Sequence, residues 1–175
     1  IKLTGSNHSK TSITTEGTQQ HGMVADNEGS EAWNYGDIKT SGSNAYGMWG
    51  TDGAEIHNAS EYLKTGLIAH KWFTGSIQTT GDGSHGMVAD HWSAAINAGI
   101  SGGILPGTIN TSGVWAYGMW AHDWAAAVNA GTIGTSGDRS HGMVAEKGSL
   151  AVNFGLGSDV SGFLGDIIGG LGDFD

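Results

Sequence analysis

The chain of 175 residues contains no cysteine. That excludes disulfides, thiolate metal sites and cysteine nucleophiles. Proline occurs once, at Pro106, and arginine once, at Arg139. Lys and Arg total 7 against 17 Asp and Glu, for a net charge of −10. Such a balance argues against a nucleic-acid partner, because phosphate contacts need Lys and Arg. No apolar run approaches the roughly 18 residues of a membrane-spanning helix. The chain opens on Ile1 rather than Met, and nothing there has the form of a signal peptide. It therefore reads as a processed or excised piece whose targeting information lies elsewhere.

What the chain has in excess is glycine, 32 residues, about two and a half times the average share of about 7%. No Gly-X-Y period accompanies it, so collagen is excluded. The glycines fall instead at fixed places in a repeat, which sets the architecture. Three motifs recur in order. The first is Ile-x-Thr, starting at Ile13, Ile38, Ile77, Ile109 and Ile133. The second places Gly-Met ten residues later in each copy, at Met23, Met48, Met87, Met119 and Met143. The third ends in asparagine, at Asn34, Asn58, Asn97, Asn129 and Asn153.

Each unit is thus three short strands separated by Gly, Ser, Thr, Asn and Asp turns. From isoleucine to isoleucine the spacings are 25, 39, 32 and 24 residues. The shorter ones are the bare unit, and the longer ones carry loop insertions near 59–74 and 98–106. A single unit cannot bury its apolar face, so units must stack. Three strands per turn, advancing about 4.8 Å each turn, make a parallel β-helix. The predicted fold is an all-β solenoid of five coils over residues 1–157, with a degenerate sixth coil expected beyond it near Val160.

The run Asn129-Ala130-Gly131-Thr132-Ile133-Gly134-Thr135-Ser136-Gly137, leading into Ser140-His141-Gly142-Met143, resembles the passenger repeats of bacterial autotransporters. The resemblance covers roughly residues 7–155. It implies a right-handed parallel β-helix exported to the cell surface, commonly as an adhesin. Two departures stand out: no translocator barrel is present, and Met stands where that family has Ile or Leu.

The methionines are expected as a core ladder, since Met fills irregular apolar space; a thioether metal site is the competing and poorer reading. The asparagines suggest an amide ladder at one corner, because Asn tolerates the left-handed region and stacked amides bond to one another. The ring before Gly-Met alternates His21, Tyr46, His85, Tyr117, His141, and the residue after Met alternates Val24, Trp49, Val88, Trp120, Val144. Large and small residues in adjacent layers explain that without function. Histidines two coils apart, about 9.6 Å, cannot share one ion.

Candidate partner-binding residues are Asp90 and Trp92, Asp123 and Trp124, which follow equivalent Gly-Met strands, and Trp72 in the first insertion. Exposed aromatics beside carboxylates suit a glycan surface or a protein interface. The alternative is indole rings folded back over the rod. Catalysis has little support: no phosphate loop, nucleophile elbow or zinc motif is present, and neither a cofactor nor a metal site is expected.

From Asp159 the period breaks. In the segment 158–175, Phe163, Leu164, Ile167, Ile168, Leu171 and Phe174 share one helical arc, weakened by five glycines. Such a tail needs a surface: it caps its own last coil or docks on the next molecule. The functional expectation is a non-catalytic extracellular adhesive β-helix whose partner is a surface glycan or protein. The alternative is a filament of head-to-tail copies, and the third reading is a polysaccharide-degrading enzyme.

Overall fold

In the computed structural model, residues 4–8, 11–64, 70–98 and 107–154 are described, with backbone only at 61–64 and 70–73. The chain starts with β1 (Thr4–Asn7) and then makes five coils of three strands each. The first is β2 (Ser12–Thr15), β3 (Met23–Asp26) and β4 (Glu31–Asn34); the second is β5 (Asp37–Thr40), β6 (Met48–Thr51) and β7 (Glu55–Asn58). An antiparallel hairpin, β8 (Ser60–Lys64) with β9 (His70–Thr74), follows. The third coil is β10 (Ser76–Thr79), β11 (Met87–Asp90) and β12 (Ala94–Asn97). The fourth is β13 (Thr108–Thr111), β14 (Met119–His122) and β15 (Ala126–Asn129). The fifth is β16 (Thr132–Thr135), β17 (Met143–Ala145) and β18 (Leu150–Asn153).

Corresponding strands pair in parallel, giving three sheets of 5, 5 and 6 strands. The register puts like on like: Ile77 pairs with Ile38 and Ile109, Met87 with Met48 and Met119, Asn97 with Asn58 and Asn129. This is the parallel β-helix that the repeats predict.

Every coil turns one Ile and one Met towards the core, and in the first, third and fourth a pair of alanines joins them. Ile38, Met48, Ile77, Met87, Ile109 and Met119 are all 0% exposed. Met23 and Met143, in the outermost coils, are only half-buried against the same core. The small pair is Ala25 with Ala32, Ala89 with Ala95, and Ala121 with Ala127, but Gly50 with Ile56 in the second coil. A larger residue on one wall is matched by a smaller one on the other, which holds the volume per layer constant.

The glycine before Met23, Met48, Met87 and Met119 is dictated by close approach to the next coil, not by a left-handed φ, whereas a Cβ on Gly142, before Met143, would meet nothing within 4 Å. A Cβ on Gly47 would lie 2.3 Å from Ile77 Cγ2 and 2.6 Å from the Gly86 carbonyl oxygen. Gly86 meets Ile109 and Gly118 in the same way. At the corner after the isoleucine strand, the hydroxyls of Thr40, Thr79 and Thr111 donate to the carbonyls of Ala45, Ser84 and Ala116 at 2.6–2.9 Å. Those bonds satisfy buried carbonyls that the bend takes out of the ladder.

The asparagine column is an amide ladder. Asn34 Nδ2 donates to Asn58 Oδ1, Asn58 to Asn97, Asn97 to Asn129 and Asn129 to Asn153, at 2.7–2.9 Å. Asn7 heads it, donating to Asn34 at 2.8 Å. These residues end strands with extended backbone, so the left-handed tolerance invoked for them is not used. Two features lie beyond the expectations. The sixth strand of the asparagine sheet is β1 at the N-terminal side, while the place expected near Val160 lies outside the described residues. The 59–74 insertion carries an antiparallel strand pair, β8 with β9. The 99–106 part of the second insertion and the whole 158–175 tail also lie outside the described residues.

Candidate functional site

The turn that leaves each methionine strand carries the unusual chemistry. In the second coil Ala54 N–H bonds Thr51 O across Asp52 (φ 53°) and Gly53 (φ 82°). The fifth coil repeats this with Ser149 N–H on Glu146 O across Lys147 (φ 49°) and Gly148 (φ 79°). Two successive positive φ angles are the mark of a type I′ turn, and Asp-Gly is its natural dipeptide. The third and fourth coils have the same pair of positive φ angles at His91 (φ 46°) and Trp92 (φ 62°), and at Asp123 (φ 57°) and Trp124 (φ 64°). A non-glycine residue in the left-handed region costs about 1–2 kcal/mol, and a bulky indole is among the worst choices there. The local sequence preference is therefore overridden twice, at adjacent coils.

What that geometry achieves is a paired ring. Trp92 and Trp124 stack with centroids 5.6 Å apart and planes 10° from parallel. The glycine of the next coil seats the pair, for a Cβ on Gly148 would lie 3.0, 3.1 and 3.2 Å from Trp124 Cε3, Cδ2 and Cε2. Trp124 nevertheless stays 51% exposed.

Beside the pair runs an acid–imidazole chain. His122 Nδ1 lies 2.9 Å from Asp90 Oδ1. His91 Nδ1 is 3.2 Å from the same Asp90 oxygen, and its Nε2 is 3.2 Å from Asp123 Oδ2. His91 thus bridges the two carboxylates that the sequence singled out, and Asp90 also accepts the His91 backbone N–H at 3.0 Å. One ligand atom each from Asp90, His91 and Asp123 falls within 4.8 Å of the others. That spacing could hold a divalent ion, although each of these groups already has a partner within the chain.

The chain of contacts continues onto the outer face of the methionine sheet. Trp120 lies 5.1 Å from His122 and 5.0 Å from His85. His21, Tyr46, His85, Tyr117 and His141 form a column with successive centroids 4.7, 5.2, 4.8 and 5.5 Å apart. His85 is only 7% exposed, and burial lowers its pKa from 6.5 to about 4. Its Nδ1 accepts the Tyr117 backbone N–H at 2.9 Å, and His21 Nδ1 accepts that of Tyr46 at 3.0 Å. A main-chain N–H can only donate, so both rings are held as the Nε2–H tautomer. Burial lowers the pKa of His21 as well, and it raises that of Tyr46, helped by the negative charge of Asp90.

The structure thus brings Asp90, Trp92, Asp123 and Trp124 together on one ridge. Trp72 belongs to β9, opposite Tyr62 in backbone register, and its side chain is outside the described residues. Sequence reasoning assigned no role to His91 and His122, although His91 stands between Asp90 and Trp92 and His122 directly precedes Asp123. The signal available was the column Gly53, Trp92, Trp124, Gly148, where a turn glycine gives way to tryptophan. At the opposite corner Trp115 is a separate exposed ring, with the Arg139 guanidinium 5.2 Å above it.

Fold and ridge together define a parallel β-helix solenoid whose surface columns vary while its core columns repeat. The chain belongs to the family described as the third pectate lyase-like domain of BigA, which matches residues 3–157. Neither the curated proteins nor the solved structures contain a match.

Proposed function

We propose that this chain is a non-catalytic β-helix module of a bacterial surface protein, of the autotransporter-passenger kind, which adheres through the Trp92–Trp124 ridge. The observation that carries this is the pair of tryptophans held in left-handed positions where neighbouring coils have glycine. Strain of that sort is retained where it serves a site. The family description, a domain of a larger protein, agrees with a module displayed within a longer chain. A polysaccharide-cleaving reading draws no support from the described acids. Asp90 and Asp123 lie on a convex turn and are engaged by imidazoles. The shallow groove of about 320 Å³ on the isoleucine sheet, beside Gln78, Asn110 and Ser136, has no carboxylate in its lining.

The test compares wild type with the Trp92→Gly, Trp124→Gly double variant in binding to host-cell and bacterial surfaces. Glycine suits the backbone of these turns, so circular dichroism should stay β-rich while surface binding is lost. Equal binding by both proteins removes the ridge from the function. Release of reducing sugar from a polysaccharide would instead promote an enzyme.

A second reading, a head-to-tail filament, draws on the outermost coils. Ile13 and Met23 at one side, and Ile133 and Met143 at the other, are less buried than their counterparts between. Light scattering across a concentration series separates the two: growing rods support the filament, and a constant mass supports the adhesive module.

A further inference from the structure

We infer that the ridge recognises a cationic protein surface rather than a glycan, a refinement that rests on the adhesive reading above. A sugar stacks its apolar face on an open ring face. Trp124 has both faces partly covered: Trp92 lies parallel and offset against one side, with centroids 5.6 Å apart, and the Gly148 backbone lies against the other. With its two faces neighboured in this way, we take its 51% exposure to fall mainly on the rim of the indole. Rims carry the positive edge of the ring quadrupole and suit carbonyl oxygens or the faces of a partner's aromatic rings. One oxygen of each carboxylate that would accept sugar hydroxyls is likewise engaged, Asp90 Oδ1 by His91 and His122 and Asp123 Oδ2 by His91. A rigid tryptophan pair ringed by polar groups is instead the composition of a protein-interface hot spot.

Charge selects the partner. Along the same corner of successive coils, Asp26, Glu28, Asp52 and Glu146 are exposed beside the Asp90–Asp123 chain, with Lys147 as the one Lys or Arg in these turns. The whole chain carries −10. A second copy would meet this ridge with the same sign, and like charges across an interface are strongly unfavourable. Basic segments with an apolar or aromatic anchor meet both requirements.

Calorimetry and tryptophan fluorescence of the full chain with three sets of probes decide it. The probes are short synthetic peptides of Lys, Leu and Tyr, the same peptides with Glu for Lys, and linear oligomers of glucose and of N-acetylglucosamine. The basic peptides should bind, more weakly as salt rises, and lose at least about tenfold in affinity in Trp124→Gly. Neither acidic peptides nor sugars should bind. Absence of binding by the basic peptides, equal binding by acidic ones, or sugar binding that Trp124→Gly abolishes would each overturn the inference. If cell-surface binding still depends on the tryptophans in those cases, the adhesive module stands and only its partner class is wrong.

Discussion

At the scale of single residues, the stacked columns tie large energies to few atoms. Met87 and Met119 are fully buried between like neighbours, so each Met→Ala change leaves a cavity the stack cannot close. We expect a loss of about 2–5 kcal/mol for each, and a smaller loss at half-buried Met23 or Met143. Chemical denaturation of the four variants checks this; equal, negligible losses would mean that the methionines do not carry the core. His85 makes a pH prediction. Its native pKa of about 4 lies below the 6.5 of an exposed imidazole, so the unfolded chain takes up the extra proton first. The stabilisation is complete above about pH 6.5 and is lost as pH falls towards 4, by an amount on the order of 3 kcal/mol. A His85→Gln variant keeps an acceptor for Tyr117 N–H but cannot titrate. Its melting temperature should fall less steeply than that of wild type between those two pH values, and parallel curves would count against a buried neutral imidazole.

Strands, turns and insertions separate by what each tolerates. Strands are fixed by the Ile, Met and Asn columns. The turn after the methionine strand accepts Asp-Gly, Lys-Gly, His-Trp or Asp-Trp, because its backbone bonds run from coil to coil: Gly53 N–H bonds His91 O, and Trp92 N–H bonds Asp123 O. The hairpin β8–β9 leaves and re-enters at one point, with Gly75 N–H bonding Ala59 O at 2.7 Å. Removing residues 60–74 and joining Ala59 to Gly75 should therefore leave the flanking coils in phase. The β-rich circular dichroism should be unchanged and the melting temperature within a few degrees of wild type, since such insertions add little to a stacked repeat. Collapse of the fold on deletion would show that the hairpin braces the third coil.

Across the whole molecule, stability is a sum of coils and of the interfaces between them. The three middle coils have a neighbour on both sides, and their Ile and Met are 0% exposed, unlike those of the outermost two. Amide exchange should accordingly be slowest in β10, β11, β13 and β14, and fastest in β2, β3, β16 and β17. Uniform protection would mean that the solenoid opens as one unit. The negative charge is also a whole-molecule property. It keeps like ridges apart while leaving the ends of the sheets, where apolar residues are half-buried, as the places where copies could meet.

The repeated residues determine the solenoid by themselves. In-register stacking is the arrangement that gives every Ile, Met and Asn an identical neighbour, and a fixed ten-residue step from Ile to Met states that register openly. Asn7 escaped this reading because its strand has no Ile or Met strand before it. Tertiary structure alone decided the surface. The ridge is made by residues 32 positions apart, such as Asp90 and His122, which an insertion separates in the chain and one strand spacing joins in space. Whether an indole shows its face or its rim depends on the φ of its turn and on what the next coil places beneath it. Trp124 can lie against the next coil because residue 148 is a glycine, where a Cβ would sit 3.0 Å from the ring.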